Sequence, residues 1–150
     1  MRDDSTRHRP AMNATPPFEL DPRLAQDTLP VCDLELCRVL LMNDSRYPWF
    51  ILVPRVPQLS ELTDLDESRL RRLWDESLLL CSVMKQDYPD GKLNLGALGN
   101  LVSQLHLHHV MRHAGDPAWP GPVWGHSAAV PYEGGQGAEL AARFAALLQG

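Results

Sequence analysis

Gln104-Leu105-His106-Leu107-His108-His109-Val110 is a short apolar stretch with a polar side chain at every second place. Read as an extended strand, it sends successive side chains to opposite faces. Gln104, His106 and His108 then share one face, and Leu105, Leu107 and His109 take the other. The three polar groups stand about 7 Å apart in a row. Buried imidazoles and amides are costly without hydrogen-bond partners, so this face is expected to look into a wet or ligand-filled cleft.

Outward from the histidines, Pro89-Asp90-Gly91 marks a turn and Lys92 to Ala97 a short strand that runs into Gly96-Ala97-Leu98-Gly99-Asn100. The G-x-x-G spacing lacks the third glycine of a dinucleotide fingerprint and the lysine of a P-loop, so neither is assigned. A glycine-rich turn beside the histidine row would instead let backbone amides approach a phosphate closely. Farther upstream, Leu70, Leu73, Trp74, Ser77, Leu78, Cys81, Met84 and Tyr88 follow the three-four spacing of one helical face, with Asp64 and Glu67 as a capping box. Leu79, Leu80 and Val83 widen that apolar surface, which is either a broad core face or a second surface packed on a partner. Before the helix, an apolar series from Val31 to Leu41 and the run Trp49 to Val53 flank Asn43-Asp44-Ser45, as an antiparallel hairpin would. Phe18 to Gln26 holds a helical turn or two, with Asp21 as N-cap and Pro22 at the first helical position. Downstream, His113 to Pro131 reads as an irregular arm in which Trp119 and Trp124 need something to cover. Glu139 to Gln149 reads as a short Ala-Leu helix.

The 150 residues are 44% hydrophobic, enough for one core. The expected organisation is a disordered tail over residues 1–17, a globular domain over 18–133 and a C-terminal helix or tail over 134–150. A net charge of -5 without any basic run disfavours nucleic acid and anionic membrane surfaces as partners. Cys32, Cys37 and Cys81 are an odd number with no Cys-x-x-Cys, which reads as buried thiols in a reducing compartment. No apolar run reaches the roughly 20 residues of a spanning helix and no signal core follows the N-terminus, so the expected location is cytoplasmic.

The histidine row admits three readings. The residues could lie on a solvated strand face, but two histidines in register with apolar neighbours opposite argue against that. His-x-His could bind a metal, which then needs a third ligand; no carboxylate follows His108 closely, and His113 and His126 are not fixed by spacing. Or one imidazole could attack phosphorus while its neighbour hydrogen-bonds the non-bridging oxygens.

The stretch from Gln104 to Val110, with Leu93-Asn94-Leu95-Gly96, the Gly99-Asn100 turn, Asn43 and Trp49-Phe50-Ile51-Leu52-Val53-Pro54, resembles the histidine triad (HIT) hydrolases and transferases. Their signature is His-φ-His-φ-His-φ-φ. The resemblance spans about Leu29 to Arg112. It implies an α+β fold with an antiparallel sheet, one long helix and a C-terminal arm, assembled as a homodimer through the long helix and a neighbouring strand. It implies His106 as the nucleophile that takes the nucleotidyl group and His108 as the phosphate contact. It also implies Asn43 at the ribose, Asn94, Gly99 and Asn100 by the phosphates, and Leu41 beside the base. No cofactor is required, although Mg²⁺ can accompany the substrate's phosphates.

Three positions depart from the signature. Gln104 occupies the first histidine position, and an amide cannot exchange a proton near neutrality, so general-acid help to a leaving group is lost there. That favours a purine nucleotide conjugate with a good leaving group, a dinucleoside polyphosphate above all; the alternative is a nucleotide-binding protein with little turnover. Trp49 stands where many members carry a supporting histidine, and His109 where the signature has an apolar residue.

Overall fold

The computed structural model describes residues 15–150. The expected tail thus lies largely outside the described residues, and residues 15–17 have no regular structure. The chain forms α1 (Pro22–Asp27), β1 (Thr28–Asp33), β2 (Cys37–Met42), β3 (Trp49–Pro54), α2 (Glu67–Asp87), β4 (Lys92–Gly96), β5 (Leu107–Arg112) and α3 (Gln136–Gln149). The five strands make one antiparallel sheet in the order β1-β2-β3-β5-β4. This is the expected α+β class. α3 is more than a tail, because its Phe144 is fully buried and stacks on Phe50 of β3 at 4.2 Å between ring centroids. Such a pair adds about 0.5–1.5 kcal/mol beyond the area it buries.

β3 and β5 are buried along their whole lengths. β3 has the near-continuous apolar sequence that a strand covered on both faces requires, whereas β5 buries His108, His109 and Arg112, each with a hydrogen-bond partner. On one face Val39, Leu41, Phe50, Leu52, Leu107 and Met111 pack under α2 and α3. On the other, Leu40, Ile51, Val53 and Val110 pack with Leu24 of α1, Val102, Val123 and Tyr47. The second face carries the site, so α1 and the 97–131 segments form its walls.

Two expectations for α2 need correction. Its N-cap is Asp66, which accepts from the Arg69 backbone N–H at 2.8 Å, while Asp64 folds back to accept from the Glu61 backbone N–H and closes a single 3₁₀ turn. The buried stripe is Leu73, Glu76, Ser77, Leu80, Val83 and Met84; Trp74 and Leu78 are 42% and 65% exposed. Glu76 accounts for the rotation. Its carboxylate accepts the Cys37 N–H at 2.8 Å and the Leu36 N–H at 3.2 Å, capping the β1–β2 turn from inside the core. A buried carboxylate with backbone donors is tolerated where an unpaired one is not. Among the described residues, no helix is long and apolar enough to cross a membrane.

Candidate active site

β5 begins at Leu107, so strand alternation governs His108 onward and not Gln104. His108 pairs with Ile51 on one side and Gly96 on the other. Its ring lies on the face covered by α1 and the arm, and the His106 ring packs edge-on against it at 4.8 Å. Both line a cleft of about 580 Å³ with Trp49, Trp124, Leu24 and Met42, and with Gly99 and Asn100 at its edge. A second hollow of about 530 Å³ shares Gly99, Asn100 and His106 with it. A larger hollow near the start of α2 shares no residue with either and is lined mainly by charged side chains, as a solvated helix surface is.

Each histidine of the cleft has its Nδ1 end engaged. His106 Nδ1 lies 2.7 Å from the Gln104 carbonyl oxygen. A carbonyl only accepts, so that nitrogen carries the proton and Nε2 keeps its lone pair. At His108 the Trp49 indole N–H donates to Nδ1 at 2.9 Å. Burial, followed by the nearby imidazoles of His106 and His109, holds the His108 pKa down at about 3. His109 points the other way, into the core under α2, where its Nε2 lies 2.8 Å from the Ser77 hydroxyl and its Nδ1 lies 3.1 Å from the Leu107 carbonyl. Burial lowers its pKa to about 4. The polar departure from the signature thus has a partner, provided by the one serine of the buried helix stripe.

Gln104 does not join the row. Its amide donates to the Glu19 carbonyl at 2.8 Å and accepts from the Asp21 N–H at 2.9 Å, which latches the segment leading into α1. Leu41 is fully buried on the helix-covered face, opposite Phe50, and its neighbour Met42 lines the cleft instead. Asn43 Oδ1 accepts from the Tyr132 backbone N–H at 3.0 Å and so holds the arm; Asp44, beside it, reaches the cleft and is paired with Arg46 at 2.9 Å. Asn94 shares the face of His108, but lies farther along the sheet, where its Oδ1 accepts from Arg112 at 3.1 Å. Gly99 and Asn100 line the cleft, and Gly99 takes a left-handed φ of 69°.

The arm's tryptophans have distinct tasks. Trp124 stands 5.5 Å from the His108 ring and 6.4 Å from Trp49, forming a wall of the cleft. Trp119 covers the guanidinium of Arg112, whose buried ion pair with Asp116 is 2.7 Å long. The Arg112 guanidinium holds the Asp116 carboxyl down at about 2. The sequence signal for Trp124 was only its presence in an irregular arm, and Asp44 was legible only as a turn residue. Among the described residues, no group of three or more His, Cys, Asp or Glu is placed to hold a metal ion.

The sequence profile of the HIT domain matches residues 23–115, well over half of the chain. The chain belongs to the histidine triad family. A histidine triad protein from Marinobacter aquaeolei VT8 is 48% identical over 89% of this chain and 98% of its own, with a TM-score of 0.85. One from Sinorhizobium meliloti 1021 is 42% identical over 88% and 95%, with a TM-score of 0.79. One from Bradyrhizobium japonicum is 40% identical over 89% and 97%, with a TM-score of 0.80. No curated protein matches the chain. In this chain His108 stands on β5 and His106 in the segment just before it, with α1 and the arm closing over them.

Proposed function

We propose that this HIT protein hydrolyses or transfers nucleotides through a covalent nucleotidyl-His106. The observation that carries the reading is the pair of imidazoles in one cleft with opposite hydrogen-bonding at Nδ1, His106 donating to a carbonyl and His108 accepting from an indole. That leaves a lone pair on His106 Nε2 and an N–H on His108 Nε2. Neither Nε2 has a hydrogen-bond partner among the described residues. The His106 lone pair attacks the α-phosphorus, an N–P bond forms, and the P–O bond to the leaving group breaks with its electron pair on the leaving oxygen. His108 donates to a non-bridging oxygen as charge develops. Water then attacks phosphorus, and the nucleoside monophosphate departs with His106 regenerated.

With Gln104 committed to the α1 segment, no acid at that position assists departure, which favours a phosphoanhydride leaving group, as in a dinucleoside polyphosphate. Arg23 is the only cationic side chain lining the cleft among the described residues, and it sits 3.9 Å from Asp27. Mg²⁺, where it accompanies the substrate's phosphates, would add to the neutralisation that Arg23 offers. Trp49, Trp124, Leu24 and Met42 offer apolar and aromatic surface for a purine base.

The test is intact-protein mass spectrometry after brief reaction with diadenosine polyphosphate and an acid-free quench, with product followed by chromatography. A nucleotidyl adduct that His106→Ala abolishes is the expected result. Binding without release would favour the second reading, a nucleotide-binding protein with little turnover, for which the diversion of Gln104 from the cleft speaks.

Trp74, Leu78 and Leu79 are exposed on the solvent face of α2, and β4 is an edge strand; both features support a homodimer through α2 and β4. Leu78→Glu should shift a dimer to monomer in sedimentation, and a wild type that sediments as monomer refutes the assembly. Free Cys32, Cys37 and Cys81 fit the cytoplasm, with burial pushing the Cys37 thiol up.

A further inference from the structure

We infer that Trp49 is a positioning residue, which holds His108 as a fixed neutral Nε2–H donor and so makes the phosphate clamp independent of pH through the neutral range. The inference rests on the nucleotidyl-transfer reading for the clamp's task, and on geometry alone for the lock.

An indole N–H donates and cannot accept, and it does not titrate. With it 2.9 Å from His108 Nδ1, that nitrogen must present its lone pair, so the neutral ring carries its proton on Nε2. Protonating His108 would set an N–H against the indole N–H and break the bond. An imidazole at position 49 could reverse its role and pass a proton along; an indole cannot.

The ring holding that N–H has little freedom to move away. Trp49 is 8% exposed, with Tyr47 edge-on at 6.3 Å and Trp124 edge-on at 6.4 Å. The surroundings of His108 add no fixed charge in contact. β3 presents Trp49 and Ile51, β4 presents Gly96, and the arm presents Trp124. The titratable and charged neighbours are His106 in the cleft, His109 on the reverse face of β5, and Asp44, Asp27 and Arg23 on the cleft walls; Asp44 is neutralised by Arg46. Burial therefore dominates, and it disfavours the imidazolium in the same direction as the indole bond does.

One consequence is kinetic. With Gln104 latched to α1 and Trp49 unable to exchange a proton, neither position adds an ionisation of its own to the acid limb of kcat/KM.

The test combines NMR and kinetics. In protein labelled with ¹⁵N-histidine, long-range ¹H–¹⁵N spectra from pH 5 to 8 should show His108 with an unprotonated Nδ1 and a protonated Nε2 throughout. Trp49→Phe keeps an aromatic ring and removes the donor. It should bring tautomer exchange or titration of His108 into that range and lower kcat about tenfold with KM little changed, since the clamp acts on charge that grows in the transition state. A His108 that carries its proton on Nδ1, or titrates between pH 5 and 8 in the wild type, overturns the inference without any variant. So does a Trp49→Phe protein with unaltered His108 signals and kcat. The spectra do not depend on turnover. A fixed tautomer in a protein that releases no nucleotide defeats the transfer reading and the clamp's task with it, whereas a titrating His108 in an active enzyme defeats the lock alone.

Discussion

Acidification from pH 7.5 to 5.0 should destabilise this protein by about 4 kcal/mol, because two histidines are folded into it as neutral rings. His108 and His109 have pKa values held down at about 3 and about 4, chiefly by burial. In the unfolded chain both return to about 6.5. Below that value the unfolded state binds protons that the native state refuses, so stability is fully present above pH 6.5 and is lost as pH falls. Each histidine contributes about 1.4 kcal/mol per pH unit. Over roughly 1.5 pH units to pH 5 that is about 2 kcal/mol per ring. Both native values lie below 5, so the loss at that pH is set by the unfolded value alone. Asp116, held at about 2 by Arg112, keeps its contribution across this window and loses it only at lower pH. The assay is urea unfolding at the two pH values, at one protein concentration so that any assembly equilibrium is held constant. In His109→Leu, which removes the buried ring opposite Ser77, the pH-dependent loss should fall to about 2 kcal/mol. Stability equal at pH 7.5 and 5.0, or an unchanged loss in the variant, would refute the reasoning.

Three further outcomes follow from contacts around the cleft. A Cβ at Gly96 would meet Trp124 Cη2 at 3.1 Å, so Gly96→Ala should push the cleft wall inward, cost about 1–3 kcal/mol and raise KM more than it lowers kcat, as steady-state kinetics would read. Gln104→Ala should lower stability by about 1–2 kcal/mol and speed proteolysis near residues 19–21, whereas an N-terminal segment equally protected in the variant would contradict the latch. Asp116→Ala leaves Arg112 buried and unpaired, with an expected cost of about 3–5 kcal/mol in urea unfolding.

Much of the architecture was legible in the residues because it is local. Asp21 and Pro22 announce the start of α1, the apolar runs announce β2 and β3, and the three-four spacing from Leu70 announces α2. The direction in which α2 turns was not legible. Spacing marks a stripe, and Trp74 and Leu78 fit it as well as Leu80 does. Choosing between them required Glu76, a charged residue that periodicity assigns to solvent and that the Leu36 and Cys37 amides draw into the core.

At the site the same division holds. The spacing of His106 and His108 among leucines marked both out from nearest neighbours alone, but strand alternation fixes the face of His108 only, since His106 precedes β5. The fates of Gln104, Asn43 and Leu41 were not determined at that range. Gln104 is claimed by Asp21 across 83 positions and Asn43 by Tyr132 across 89, while the sheet register sends Leu41 to the helix side. The tautomer of His108 is likewise set by Trp49, 59 positions away. Sequence by itself determined which residues have the chemistry for the site. Tertiary structure decided which of their atoms remain available, because a hydrogen-bonding group is committed by whichever distant partner the fold brings within reach.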